Sequence, residues 1–289
     1  RTPSNAVAAF YLDRALRLWP AYLAALVICG LIVVLAAPQS PFLSRAPDAA
    51  CVLANVTIIP LNYFMFSDLD RCSLIPVAWS LGLELQFYLI APLVMSFAGL
   101  RTPLVAASIC VYLVATLGWI DTDIWGYRLL PGTLFIFVMG AILAQSKLTG
   151  RVERMGWSMA VGIAALLFIF VAASPHLHRN FAVETAFGIM VSVPIILLTR
   201  SVSRSRLDDL AGATAYPLFL LHFGVLWLIS TVFDNVLTPL AMTIYVATTL
   251  TLAFVVARAL DVPLARLRRR LRKQNQSVAA DVPLVFREK

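Results

Sequence analysis

Charge is scarce in this chain. Only 13% of its 289 residues are Asp, Glu, Lys or Arg, about half the roughly 25% usual in a soluble domain. Hydrophobic residues make up 61%, and the mean hydropathy is +0.86, which excludes an ordinary water-soluble fold. Cysteine and histidine are rarer still, at four and three, and none falls at zinc-ligand spacing; His176 and His178 in SPHLHRN are a weak metal signal by themselves. No Gly-rich loop follows a strand pattern, so the usual phosphate cradle is missing. Neither a metal nor a tightly bound cofactor is expected. A soluble second domain and a fixed-period repeat are missing as well.

Long apolar runs are what the chain has in abundance. A helix needs about 20 such residues to cross a hydrocarbon core of roughly 30 Å. Eight runs approach that length, near Leu16–Ala37, Trp79–Leu100, Pro103–Ile120, Leu130–Gln145, Trp157–Ala173, Phe181–Leu198, Ala213–Val232 and Pro239–Leu260. Leu130–Gln145 and Trp157–Ala173 are short for a span. Cys51–Phe66 contains Pro60 and Asn62 and reads as a re-entrant or loop segment. The fold class is an all-α integral membrane protein of about eight transmembrane helices.

The basic residues set the orientation. With a cytoplasmic N-terminus and eight alternating spans, only Arg45, Arg71, Arg128 and Arg179 of the 23 Lys and Arg residues face the far side. So strong a bias predicts N-in, C-in topology in the inner (plasma) membrane. It also accounts for the net charge of +8 without nucleic acid. Residues 1–265 read as one multispan domain and residues 266–289 as a basic cytoplasmic tail. The tail's LRRRLRK run suits an anionic leaflet, where each basic residue contributes about 1 kcal/mol.

Cys29 and Cys110 lie within spans and read as small core residues. Cys51 and Cys72 share the one long non-cytoplasmic loop, where a disulfide and two free thiols are both compatible with the sequence. The chain begins at Arg1 without Met, and its first fifteen residues look like an interhelical connection; sequence upstream is expected.

Three constellations carry candidate chemistry. Arg14 and Arg17 are three apart, on one face at the mouth of the first span. Two guanidinium forks there suit the phosphates of a nucleotide-like donor. Topology alone also explains them, with Asp13 pairing to Arg17 at i, i+4. In WSLGLELQFYL, Ser80, Glu84 and Tyr88 recur every four residues, with Glu84 about 7–8 Å from the Trp79 end. A carboxylate costs about 2.5–3.5 kcal/mol near a span centre, so Glu84 is expected to have a partner or a function. It could bind a sugar hydroxyl, orient a base, carry a proton or lock two helices together. In TAYPLFLLHFGV, Tyr216 and His222 lie on the seventh span, where a histidine either packs through hydrogen bonds or works near the midplane.

These segments resemble the acyltransferase-3 family of membrane O-acyltransferases, which decorate cell-surface glycans and lipopolysaccharide. FYLDRALRLWPAYL is similar to the family's RxxR segment before an aromatic-Pro pair, here Arg14, Arg17, Trp19 and Pro20. WSLGLELQFYL is similar to its WSLxxExxFYL signature, with Trp79, Ser80, Glu84 and Tyr88. ATAYPLFLLHFGV is similar to S-Y-x-x-Y-L-x-H; Tyr216, Leu220 and His222 match, while Ala215 stands for Ser and Phe219 for the second Tyr. ALDVPLARLRRRLRK is similar to the acidic-x-Pro ending, with Asp261 for Glu.

The resemblance implies a bundle of about ten helices of which this chain carries eight. The first two, with an Arg and the catalytic His, lie outside it. It further implies transfer of an acyl group, usually acetyl, from coenzyme A to a hydroxyl of a surface or lipid-linked carbohydrate. Arg14 and Arg17 then engage the donor, and Glu84 orients the acceptor or the base. The partners are the bilayer, acyl-CoA and the glycan. Two rival classes share the architecture: a transporter of protons or a polar solute using Glu84 and His222, and a non-catalytic partner subunit.

Overall fold

The computed structural model describes residues 3–145, 151–177, 181–199, 202–203, 205–265 and 267–268. Among these there is no strand. Nine α-helices follow in order: α1 (Pro3–Ala36), α2 (Ala49–Thr57), α3 (Ala78–Ser96), α4 (Ala98–Thr116), α5 (Leu130–Gln145), α6 (Arg151–Ala173), α7 (Ala182–Thr199), α8 (Arg206–Ser230) and α9 (Pro239–Val256). All but α2 belong to stretches long and apolar enough to cross a bilayer, eight in number, as the apolar runs predict. The short run at α5 is lengthened by a π-helical segment, Thr122–Arg128, which extends the span to Thr122–Ala144. Most of the 266–289 tail, together with His178 and Arg179, lies outside the described residues.

Local chemistry fixes the helix ends. Ser205 Oγ accepts from the Asp208 amide at 3.1 Å, and the Asp208 carboxylate accepts from the Ser205 amide at 2.8 Å, a reciprocal capping box for α8. Thr238 caps α9, and Pro239 opens it where its missing N–H costs nothing. Prolines 20, 92, 194 and 217 sit within spans, a placement lipid tolerates because neighbouring groups satisfy the freed carbonyls. On α6, Met155, Met159, Ile163, Leu166 and Phe170 are all exposed at helical spacing. Such an apolar ridge belongs against lipid tails. Cys29 is buried, as a core residue would be, but Cys110 is exposed on α4, because its face of the helix turns outward.

The chain divides into two compact units, one holding α1, α2, α8 and α9, the other α3 to α7. In the first, α8 packs against both α1 and α9. Gly224 of α8 lies so close to α1 that a Cβ there would sit 2.6 Å from Cys29 Sγ. In the second, α4 packs on α5 and α6 on α7, and Phe87 of α3 stacks on Phe137 of α5 with ring centroids 4.8 Å apart. Gly132, in the first turn of α5, faces the carbonyl of Trp125; a Cβ would fall 1.6 Å from that oxygen. The π-helical segment therefore requires glycine at 132.

The connection between α1 and α3 is folded rather than slack. Cys51 and Cys72 are joined by a disulfide with an S–S distance of 2.06 Å, which decides between the two states the sequence left open. Asp48 caps α2, accepting from the Cys51 amide at 2.8 Å, and pairs with Arg45 at 2.5 Å. These bonds hold its carboxyl below the usual carboxylate range, the backbone amide contributing most and Arg45 next. Buried Asn55 satisfies three backbone groups: its Nδ2 donates to the Cys51 and Cys72 carbonyls, both at 2.9 Å, and its Oδ1 accepts from the Leu74 amide at 3.0 Å. Tyr22 Oη donates to the Asn55 carbonyl at 2.6 Å. Tyr22 lies fourteen residues before the end of α1, about 21 Å along its axis at 1.5 Å per residue. The segment thus runs back beside α1. Irregular backbone packed beside a span needs protein groups to satisfy it, and Asn55 does so.

Candidate functional site

The sequence-predicted residues fall in both units. In the second unit, α3 sets Ser80, Glu84 and Tyr88 one turn apart on a single half-buried face. Tyr88 Oη donates a short hydrogen bond to Glu84 Oε1. Among the described residues no arginine pairs with that carboxylate. A phenol one turn away localises one oxygen of Glu84 and leaves the other lone pairs for an incoming donor, such as a hydroxyl or imidazole N–H.

Trp79, the first residue of the same motif, has a different setting. The Arg128 guanidinium lies 4.4 Å from the Trp79 ring centroid and also within 6 Å of Tyr127 and Phe181, at 5.8 and 5.5 Å. Its Nε donates to Asp123 at 2.8 Å. Tyr127 and Phe181 stack in turn, with centroids 4.2 Å apart and planes 8° from parallel. A guanidinium over the face of Trp is attracted by the ring quadrupole, by about 0.5–2 kcal/mol depending on exposure. Trp79 is thereby a pillar that fixes the start of α3, and so the height at which Glu84 projects.

In the first unit, Arg14 and Arg17 share α1 but not surroundings. Arg14 packs over the Phe10 ring at 5.4 Å and lies 3.5 Å from Asp13. Asp13 does not take Arg17 as its local partner. It accepts two hydrogen bonds from Arg268, at 2.9 and 3.2 Å. Arg17 instead lines a cavity of about 540 Å³, together with Asp209, Tyr216 and three arginines, Arg206, Arg258 and Arg268. Among the described residues, neither Arg17, Arg206 nor Arg258 has an ion-pair partner. The N-terminal parts of α1 and α8 and the segment following α9 converge there. Sequence reasoning missed the last three arginines because each reads as a span-flanking or tail charge; only their convergence marks them.

Tyr216 Oη donates to the Leu18 carbonyl at 3.1 Å across 198 positions, tying α8 to α1 beside Arg17. His222 Nδ1 lies 2.7 Å from the Phe219 carbonyl, and its ring sits between those of Phe219 and Phe223. A carbonyl only accepts, so Nδ1 is the donor in this contact. This is the arrangement of a helix-packing histidine. Among the described residues no group of three His, Cys, Asp or Glu converges as a metal site.

Eight apolar helices, a carboxylate within one of them and a cationic cavity at one end of another group define a multi-pass membrane protein with polar working parts. Residues 1–258 match the acyltransferase-3 family, described as an acyltransferase domain. The chain belongs to that family and is a membrane acyltransferase by membership. It is also 31% identical over 158 residues to an uncharacterised protein of Aquifex aeolicus (strain VF5), an alignment covering 54% of this chain and 72% of that one. No solved structure matches.

Proposed function

We propose that the protein transfers an acyl group, in the simplest case acetyl, from a coenzyme A thioester to a hydroxyl of a surface or lipid-linked carbohydrate. The observation that carries this reading is Arg17, without an ion-pair partner among the described residues and facing a cavity large enough for part of such a donor, in a chain of this family. Arg17, with Arg14 behind it, holds donor phosphates. Glu84, fixed by Tyr88, orients the acceptor hydroxyl or the histidine base that the family resemblance places on a span upstream of the matched segment. To none of the described residues of this chain do we assign the base's role.

In the reaction the acceptor oxygen bonds to the acyl carbon, the carbon–sulfur bond breaks, and coenzyme A leaves as a thiol with the proton taken from the hydroxyl. A base and a donor for the developing oxyanion lower that barrier. The protein sits in the plasma (inner) membrane with both termini cytoplasmic. Two observations support this orientation: the charge asymmetry, and a disulfide in the connection after α1, which belongs in an oxidising compartment. The Arg17 cavity then opens toward the cytoplasm, where acyl-CoA is made.

The test measures transfer of label from radiolabelled acetyl-CoA to membrane glycans by the full gene product. Arg17→Ala is expected to lower it strongly and Arg14→Ala less, because Arg14 packs on Phe10 and Asp13. Full activity in both variants discards the donor role.

A further inference from the structure

We infer that Arg206 and Arg258, acting with Arg17, form a receptor for a phosphate monoester, and that this group is the one on the ribose ring of the coenzyme A donor. The inference rests on the acyl-CoA reading and adds to it residues outside the RxxR segment.

Charge balance gives the first argument. Among the described residues, four arginines and one carboxylate, Asp209, line the cavity. Arg268 is committed to Asp13 by two hydrogen bonds, so Arg17, Arg206 and Arg258 line the space with Asp209 as the one described carboxylate to offset them. That leaves an excess of two positive charges. Like charges around a concave, partly dry surface repel, and a ligand of matching negative charge relieves that cost. A phosphate monoester carries about −1.5 to −2 near neutral pH on a single phosphorus; a phosphodiester carries only about −1, and a bridging diphosphate spreads its two charges over two phosphorus atoms. The monoester alone concentrates the matching charge at one point, where three guanidinium groups can share it.

Placement gives the second argument. Membrane topology requires basic residues near span ends but does not require them to share a cavity. Here Arg17 comes from α1, Arg206 from the first residue of α8, and Arg258 from the π-helical turn Ala257–Asp261 after α9. Three segments remote in sequence thus contribute arginines to the lining of one volume. Arginine forks bind phosphate oxygens in pairs. Asp209 accepts hydrogen bonds, which a phosphate does not donate but a ribose hydroxyl or a base amine does. The lining therefore suits a phosphorylated nucleoside better than a bare polyanion.

The experiment titrates coenzyme A and dephospho-coenzyme A, which differ only in that monoester, into the full gene product in detergent. Measurements are repeated on Arg206→Ala, Arg258→Ala, Arg206→Lys and, as a control of equal charge change, Arg71→Ala in the α1–α3 connection. Coenzyme A is expected to bind at least about tenfold more tightly, the scale of one charge-assisted contact. Each alanine variant should erase most of that preference while binding dephospho-coenzyme A nearly as the parent does. Arg206→Lys should keep part of it and Arg71→Ala all of it.

Equal binding of the two ligands, or a preference untouched by both alanine variants, overturns the inference and leaves the acyl-CoA reading standing. A parallel arm adds nanodiscs containing phosphatidic acid, whose headgroup is also a phosphate monoester. Binding of that lipid through Arg206 and Arg258, with no binding of coenzyme A, keeps the monoester receptor and overturns both its assignment to the donor and the acyl-CoA reading. Binding of neither overturns both.

Discussion

Asp13 and Arg268 form a two-pronged ion pair, with hydrogen bonds of 2.9 and 3.2 Å across 255 positions of sequence. Both side chains are mostly covered, 13% and 17% exposed, so the pair joins the start of α1 to the segment after α9. Removing the Asp13 carboxylate strands the covered Arg268, at a cost of about 2–3 kcal/mol; removing Arg268 leaves Asp13 beside Arg14 at 3.5 Å and should cost less. Asp13→Asn or Arg268→Ala should lower the thermal midpoint in detergent. The double variant Asp13→Leu with Arg268→Met should recover most of the loss, since an apolar pair of similar volume is often as stable as a buried ion pair. No recovery means that the pair is not what stabilises the junction.

Glu84 and Tyr88 allow a cleaner separation of charge from hydrogen bonding. Glu84→Gln keeps an oxygen for the Tyr88 hydroxyl but loses the charge; Tyr88→Phe keeps the charge and loses the bond. If a carboxylate orients the reacting groups, Glu84→Gln should cut acyl transfer by about 100-fold or more, within the range for acid–base machinery. Tyr88→Phe should cost about tenfold. Equal and small losses in label transfer would assign the pair to packing.

Much of this architecture was legible from sequence because lipid imposes a length and a composition that few other settings demand. The eight runs and the one-face spacing of Ser80, Glu84 and Tyr88 are local patterns. What was not legible was non-local. Asp13 has a plausible partner four residues away in Arg17, yet pairs with Arg268 at the far end of the chain. Arg206 and Arg258 have the signature of topology residues, and only three-dimensional convergence places them around a cavity. Trp79 is singled out by its motif, whereas its contact with Arg128, 49 positions away, is not a local pattern.

Gly132 makes a sharp prediction. A methyl group there would meet a backbone oxygen at 1.6 Å, and a backbone carbonyl cannot rotate aside as a side chain does. Gly132→Ala should destabilise by about 3 kcal/mol or abolish folded expression. Gly140→Ala, at a position with no neighbour within 4 Å on the same helix, should be neutral or stabilise by about 0.5–1 kcal/mol through helix propensity. Denaturation in mixed micelles distinguishes the two; similar outcomes would remove the close approach as a determinant.

The Cys51–Cys72 bridge closes a loop of 21 positions, for which chain entropy gives about 3 kcal/mol. Reductant should therefore lower the thermal midpoint of the parent protein. It should leave that of the Cys51→Ser, Cys72→Ser variant unchanged and already low. A parent protein indifferent to reductant would show that Asn55 and its neighbours hold the loop unaided.

Asp48 predicts the acid response of the same loop. Its carboxyl is held below the usual range by the Cys51 amide and then by Arg45. The stabilisation is fully present above the ordinary aspartate value, near 3.9, and is lost as pH falls through the lower folded value. Protection of the Cys51 amide from hydrogen exchange should persist down to about pH 4 and fail only in stronger acid. Asp48→Ala should abolish the pH dependence. Loss of protection well above pH 4 in the parent would contradict the cap.

The folded-back course of the α1–α3 connection changes how sidedness must be mapped. Ala54 and Asn55 are 1% and 4% exposed, because they are seated beside Tyr22, whereas Ala46 and Pro47 are open. An impermeant maleimide would spare a cysteine placed at 54 or 55 from either face and so misreport a folded-back connection as a ninth crossing, while one at 46 or 47 would react from its true side.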